Sequence, residues 1–474
     1  MDDAATDPAA RPWFFCGIGG SGMLPLATIL KGMGATVAGS DRSFDQGRTP
    51  DKFAWLERQG FALFPQDGSG VTSPDQVLVA SAAIEDSVPE MVRARELGCQ
   101  RISRAQLLSS LFNAAAQGIA VGGTSGKSTT TAMLGWILHR AGRDPTIVNG
   151  AVMKDFAGAD LPFASARIGR GDAFVAEVDE SDGSIALYRP DVAVLLNVSL
   201  DHKSMAELRA LFAGFVAQAR VAVLNFDDAE TRLLADRAGG PVLSFGIEYP
   251  EAALGIEPGS IVEEPTRIGA RLLDRREDGA HALQLAVPGR HNLANAMAAV
   301  AAAAAAGVSV HEAVVALRSF TGIARRFDIV GTSSSGIVVI DDFGHNPDKV
   351  AATLRTLKAH PGRVIAFFQP HGYGPLRQMG AELAQTFARE LGPQDVAVLC
   401  DPVYFGGTVE RSVGSEAIVA QIRAAGGSAE HRPERAECGR LIARLARPGD
   451  RIVVMGARDD TLSTFARDLL AQLP

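Results

Sequence analysis

The chain has little cysteine, four residues in 474, at Cys16, Cys99, Cys400 and Cys438. They stand too far apart for the close pairs that bind zinc or cycle through a disulfide, and read as buried thiols in a reducing cytoplasm. No apolar run reaches the roughly 18 residues that a membrane span needs. Even the alanine block at 294–306 is too short and too weakly apolar. Positive charge is not in excess: 46 Lys and Arg against 54 Asp and Glu give a net charge of −8, which disfavours nucleic acid as a partner. The N-terminus, with Asp2, Asp3 and Asp7, lacks the basic and apolar regions of a secretory signal and reads as a disordered lead-in. What remains is ordinary for a globular protein, 47% hydrophobic and 21% charged. The length suggests about three domains.

The most informative stretch is Val121-Gly122-Gly123-Thr124-Ser125-Gly126-Lys127-Ser128-Thr129-Thr130-Thr131. The apolar run 118–121 before it predicts a strand, and the run 132–138 after it predicts a helix. A glycine-rich turn between the two aims backbone N–H groups at a phosphate, and the helix N-terminus adds partial positive charge. The glycines at 122 and 123 depart slightly from the common P-loop spacing. Gly123, Thr124, Ser125, Gly126 and Thr129 would line the phosphates. Lys127 would sit on the outer ones, and the Ser128 hydroxyl would take Mg²⁺. Two more predicted strands, at 172–177 and 191–198, end in Glu177 and just before Asp201-His202. Ligands gather at the carboxyl ends of parallel strands, so Ser128, Glu177 and His202 are expected together as a divalent-cation site for Mg²⁺, or Mn²⁺ because of the imidazole.

The N-terminal region carries a second glycine turn. The strand predicted at 13–16 leads into Gly17-Ile18-Gly19-Gly20-Ser21-Gly22, then a helix, then a strand ending in Ser40-Asp41. This is the dinucleotide fingerprint. Taken alone it fits a nicotinamide oxidoreductase or a protein that holds a nucleotide diphosphate, and the oxidoreductase leaves the second nucleotide loop unexplained.

Together these motifs resemble the Mur ligase family. Phe15-Cys16-Gly17-Ile18-Gly19-Gly20-Ser21-Gly22-Met23, Gly39-Ser40-Asp41, the phosphate loop, Glu177-Val178-Asp179-Glu180-Ser181-Asp182, Asn197 with Asp201-His202, and Arg325-Arg326-Phe327-Asp328 come in that family's order. No lysine lies between Glu177 and His202, as in the branch that adds alanine first. The resemblance implies a three-domain α/β protein. A Rossmann-like domain at 1–117 would hold a UDP-sugar, a P-loop-type domain at 118–325 ATP, and a Rossmann-like domain at 326–474 the amino acid. It implies a cytoplasmic ATP-dependent ligase of peptidoglycan assembly, a monomer or homodimer, that joins an amino acid to UDP-N-acetylmuramate through an acyl phosphate. By resemblance, Gly19, Gly20, Ser21, Gly22, Ser40, Asp41 and Ser81 would bind the UDP-sugar. His291, Asn292 and Asn295 would lie on the adenine side, Arg326 would reach the phosphates, and Asp341 and Asp342 would serve the nucleotide. His345 is the candidate base that keeps the amine neutral.

The amine side departs from the pattern. Ser125 and Asn346 stand where the alanine-adding branch has histidine, and Phe343 where it has tyrosine. Gly372 and Pro375 occupy positions of arginines that grip the amino-acid carboxylate, and Arg377 is the nearby substitute. Two other readings therefore stay open: a divergent ligase for another carboxylate or amine, and a non-catalytic nucleotide-sugar-binding relative.

Overall fold

Strands without a polar face set the architecture. Trp13–Cys16, Val77–Ala80, Val192–Leu195 and Val364–Gln369 are buried at every residue, the pattern of parallel sheets covered by helices on both faces. The computed structural model describes residues 8–81, 84–200, 203–403, 414–457, 459 and 461–474. Among these residues the strands form three sheets in an α/β protein. The chain makes two compact units, Met1–Ile323 and Ala324–Pro474. No helix among the described residues is long and apolar enough to cross a membrane.

The first unit holds two sheets. The N-terminal one has five parallel strands in the order Ala62–Phe64, Val37–Ser40, Trp13–Cys16, Val77–Ala80, Gln100–Ser103. The order reverses beside Trp13–Cys16, so the turn at 17–22 opens on the crevice where such sheets take ligands. The parallel part of the central sheet runs Val242–Gly246, Val221–Asn225, Val192–Leu195, Gln117–Gly122, Ala173–Glu177, Thr146–Val148. Val121 lies opposite Glu177, and Gly122 opposite Leu195. The carboxyl ends of these three strands are therefore side by side. The stretch that follows residue 246 forms the edge of this same sheet. Leu254–Ile256 joins it by a parallel pair, and Val262–Glu264, Arg267–Asp274 and Gly279–Leu285 continue it antiparallel.

The helix Arg290–Ala305 is mostly alanine and almost wholly buried. It packs in one apolar cluster with the helices Lys127–Arg140 and Val310–Leu317. Alanine is the best helix former, and a methyl side chain lets neighbouring helices approach closely. A second cluster spans both sheets of the unit. Phe112 meets Phe174 and Tyr188 edge-on at 5.8 and 5.2 Å. Trp55 meets Phe163 at 5.6 Å, and its indole N–H donates to the Asp160 carbonyl at 2.9 Å. The division expected after residue 117 falls at the first residue of Gln117–Gly122, inside this unit.

The second unit is built on six strands in the order Asp328–Thr332, Val338–Asp342, Arg451–Gly456, Val364–Gln369, Val396–Leu399, Ala429–His431; the first pairs antiparallel and the others parallel. All four cysteines of the chain are free and buried.

Candidate active site

The phosphate loop is held from the neighbouring strand end. Gly123 and Gly126 have φ of +132° and +90°, values that favour glycine. The Thr124 N–H donates to the Asn197 carbonyl at 3.1 Å. The Ser125 N–H donates to Asn197 Oδ1 at 2.8 Å, and Asn197 Nδ2 donates to the Ser125 carbonyl at 3.0 Å. Thr124 Oγ1 donates to the Ser199 carbonyl and accepts the Ser199 N–H. Lys127, Ser128 and Thr129 fall in the first turn of the helix Lys127–Arg140.

Lys127 is engaged within the chain. Its Nζ donates to the Gly123 carbonyl at 2.7 Å and to Glu180 Oε2 at 2.8 Å. Glu180 is buried, so the pair is shielded from solvent. Burial raises the Asp179 carboxyl, but the Ser181 N–H, Lys127 and Arg104 outweigh it and hold the group below its ordinary range. Glu177, at the end of its strand, accepts the Gly150 N–H at 3.1 Å. A Cβ on Gly150 would stand 2.7 Å from Glu177 Oε1, so glycine there leaves the carboxylate room. Asn149 Nδ2 donates to the Ser128 carbonyl at 3.0 Å. Ser128 and Glu177 are thus tied to the same Asn149-Gly150 corner. Their expected third partner, His202, lies outside the described residues. Among the described residues, no group of three or more His, Cys, Asp or Glu is placed to hold a metal.

The motif in the alanine helix sits against this loop. Asn295 accepts from Thr130 Oγ1 and donates to Asn292 Oδ1, each at 3.4 Å, and Asn292 Nδ2 donates to the Pro288 carbonyl at 2.7 Å. His291 is exposed at the start of the helix.

At the N-terminal turn, the Gly17 and Ile18 N–H groups donate to the Ser40 carbonyl. The Gly19 N–H donates to Asp41 Oδ2 at 2.9 Å, while Asp41 Oδ1 caps the helix Arg42–Asp45. Ser40 Oγ donates to Glu90 Oε1 at 2.7 Å, both residues buried. Side chains of Ser40 and Asp41 therefore shape the turn from beneath, whereas Gly20 and Ser21 are exposed and Ser81 is half-buried past the strand Val77–Ala80.

Arg326, Asp341, Asp342 and His345 gather in the second unit. Arg325 and Phe327 both have positive φ, +62° and +49°. Arg325 donates to the Gly456 carbonyl at 2.6 Å and the Asp459 carbonyl at 3.2 Å, with Nε 3.6 Å from Asp341 Oδ1. The Arg325 and Arg326 guanidinium carbons lie 5.0 and 4.7 Å from the Phe343 ring centre. Burial pushes Asp341 up to about 6 despite Arg325. Asp342 is fully committed, accepting the Phe327 N–H at 2.7 Å, the Gly344 N–H at 2.8 Å and Thr353 Oγ1 at 2.9 Å. His345 Nδ1 is 2.9 Å from the Phe343 carbonyl, which can only accept, so this nitrogen carries the proton. The ring stands edge-on to His371 at 5.2 Å. Burial, with Lys349 next, lowers its pKa to about 3. The imidazole is neutral at pH 7 and a weak base. Gly372 (φ +146°) and Asn346 each precede a helix, Tyr373–Glu390 and Pro347–Lys358.

Reasoning from sequence missed the Lys127–Glu180 pair, the Asn149-Gly150 corner and Arg104, whose Nη2 is 3.6 Å from Asp182 Oδ2. Glu180 lay in a quoted motif. Asn149 and Arg104 carry no local signal.

A glycine loop on one sheet and a dinucleotide-type turn on another define an α/β protein whose first unit carries two turns of the kind that cradle phosphates. Three family models match in series: the Mur ligase family catalytic domain over 14–116, the Mur ligase middle domain over 121–303, and the Mur ligase glutamate ligase domain over 325–458. The chain is 35% identical over 454 residues to the UDP-N-acetylmuramate–L-alanine ligase of Pelotomaculum thermopropionicum, covering 94% of each chain. It is 35% identical over 466 residues to the ligase of the same name from Streptomyces coelicolor, covering 95% of each. Its fold is like that of the UDP-N-acetylmuramate-alanine ligase of Thermotoga maritima, with a TM-score of 0.79, 24% identity and coverage of 98% and 99%. A murein peptide ligase of Psychrobacter arcticus aligns with a TM-score of 0.73 at 23% identity, covering 98% of each chain. The chain belongs to the Mur ligase family.

Proposed function

We propose that the protein is an ATP-dependent ligase that joins an amino acid to the carboxylate of UDP-N-acetylmuramate in peptidoglycan assembly, yielding ADP and phosphate. One observation carries this reading: relatives named for that reaction are 35% identical across 94% of the chain, and the phosphate loop is intact within that span. The site residues follow the family order. The turn at 17–22 receives the UDP-sugar, 123–129 receives ATP, and Asn292 and Asn295 back the loop. L-alanine is the acceptor named by the relatives. Gly372 and Pro375 make the acceptor pocket the part of the assignment to be tested first.

The chemistry follows from leaving groups. A carboxylate resists attack by an amine because oxide would have to leave. Transfer of the γ-phosphoryl group gives an acyl phosphate whose leaving group is phosphate. Lys127 neutralises charge that builds on the phosphates, and to do so its Nζ exchanges Glu180 and the Gly123 carbonyl for phosphate oxygens. Neutral His345 offers an acceptor nitrogen to the amine. The residues present fit Mg²⁺: the Ser128 hydroxyl and Glu177 carboxylate are hard oxygen donors, and Gly150 leaves Glu177 uncrowded. A bound Mg²⁺ offsets charge on the triphosphate.

Phosphate release from ATP is to be measured with Mg²⁺ and UDP-N-acetylmuramate against a panel of amino acids and short peptides. Release with L-alanine is expected. Release only with another amine would reassign the acceptor, and no release with any would overturn the ligase reading.

A further inference from the structure

Arg104 lies where the two sheets of the first unit bring their ligand-bearing ends together. It opens the helix Arg104–Asn113, whose start is fixed by a capping box between Ser103 and Gln106. Its side chain runs along Gly22. A Cβ on Gly22 would stand 2.9 Å from Arg104 Cδ, 3.4 Å from Nε and 3.5 Å from Nη1. At the far end, Nη2 is 3.6 Å from Asp182 Oδ2, with the Arg104 side chain 25% exposed. Asp182 belongs to the acidic loop after Ala173–Glu177, the loop that gives Glu180 to Lys127. One side of the guanidinium therefore faces the glycine turn, and the other faces a carboxylate of the neighbouring sheet.

We infer that Arg104 binds the diphosphate of a nucleoside-diphosphate ligand at the 17–22 turn, with Asp182 as the positioning residue that aims it. This rests on the nucleotide-sugar reading above and adds a cation that the glycine fingerprint does not contain. The turn offers backbone N–H groups and the N-terminus of the helix Leu24–Gly32, which carry only partial charge. A diphosphate carries full charges. A guanidinium supplies a planar fork of donors that matches phosphate oxygens, and a carboxylate on one side holds the plane. Gly22 is glycine because any side chain would push Arg104 off the turn. The diphosphate site is thus completed across the two sheets rather than by the N-terminal sheet alone.

Calorimetric titration of the full chain with UDP and with uridine tests this. Arg104→Met weakens UDP by about 10- to 100-fold, the scale of a charge-assisted hydrogen bond, and leaves uridine unchanged. Arg104→Lys, which keeps charge but loses the fork, falls between. Gly22→Ala reproduces Arg104→Met, and Asp182→Asn weakens UDP by a few fold. A non-hydrolysable ATP analogue binds all four variants as it binds the parent, which shows that each is folded. UDP affinity of Arg104→Met and Arg104→Lys within about twofold of the parent overturns the proposal, as does an equal loss for uridine. A parent that binds neither UDP nor UDP-N-acetylmuramate overturns the nucleotide-sugar reading and the inference with it.

Discussion

Gly126 is where the phosphate turn becomes a helix, and replacing it with alanine measures how tightly the loop is built. Its φ is +90°, a region that costs an L residue about 1–2 kcal/mol. A Cβ there also runs into Asn295 Oδ1 and comes within 3.2 Å of Leu196 Cδ1. Asn295 is buried and cannot swing aside without giving up Thr130 and Asn292, two weak hydrogen bonds that add about 1–2 kcal/mol. The sum is about 3 kcal/mol, or roughly 4–5 °C in Tm for a unit of this size. Gly142 is the control, with φ +75° and no atom within 4 Å of a Cβ; Gly142→Ala carries the backbone cost alone, about 1–2 kcal/mol. Melting followed by tryptophan fluorescence reads the right part of the molecule, because Trp13, Trp55 and Trp136, the chain's 3 tryptophans, all lie in the first unit. Adding Asn295→Ala to Gly126→Ala relieves the collision, so the double-mutant cycle shows a coupling of about 1 kcal/mol or more. Equal losses for Gly126→Ala and Gly142→Ala, or additive effects of Gly126→Ala and Asn295→Ala, would refute the argument.

Lys127→Ala is expected to lower ATP-dependent phosphate release at least about 100-fold, the scale of one preorganised charge in a phosphoryl-transfer site; full turnover in a coupled phosphate assay would remove the loop from the ATP site. His345 gives the second unit an acid-side weakness. Its folded pKa of about 3 lies below the ordinary 6.5, so the unfolded chain takes up a proton that the folded one does not. Stability present above pH 6.5 is lost as pH falls, by about 2 kcal/mol at pH 5. His345→Gln should lose less stability than the parent between pH 7 and pH 5 in urea titrations, and an identical loss would count against the buried neutral ring. Asp341 works in the opposite sense. Its folded pKa of about 6 lies above the ordinary carboxylate value, so its contribution is lost as pH rises through 6, and Asp341→Asn should flatten the stability profile there. The four thiols are buried, and burial pushes Cys16 up to about 11 and Cys438 to about 12. The native protein should resist iodoacetamide at pH 8 and label fully only in denaturant.

The strands that carry the site were legible because each is short, apolar and followed by chemistry. Trp13–Cys16 ends in a glycine turn, Gln117–Gly122 in the phosphate loop and Ala173–Glu177 in carboxylates. A strand end fixes where a residue emerges but not what it meets there. The Lys127–Glu180 pair joins residues 53 apart, and no local spacing encodes it. Asn295 rests against Gly126 because two helices pack, a tertiary fact. Asp341 and Asp342 are neighbours in sequence and looked equivalent. Pleating sends their side chains to opposite faces of the sheet, so Asp342 is consumed by three donors while Asp341 faces Arg325. Nothing local in the short strands at 254–285 shows that they join the main sheet, which they do through two parallel residue pairs, Phe245 with Leu254 and Gly246 with Gly255.

The alanine helix behind the phosphate loop has a thermodynamic consequence. Most side chains lose rotamer freedom when buried, and alanine has none to lose. The surface beneath Lys127–Arg140 is built largely of methyl groups, so it orders at little entropic cost and holds no alternative packing of its own. When a triphosphate arrives, this backing cannot absorb the change by repacking. Any adjustment is confined to the turn and to Lys127, and the heat and entropy of nucleotide binding should report the exchange of Glu180 for phosphate with little contribution from the core.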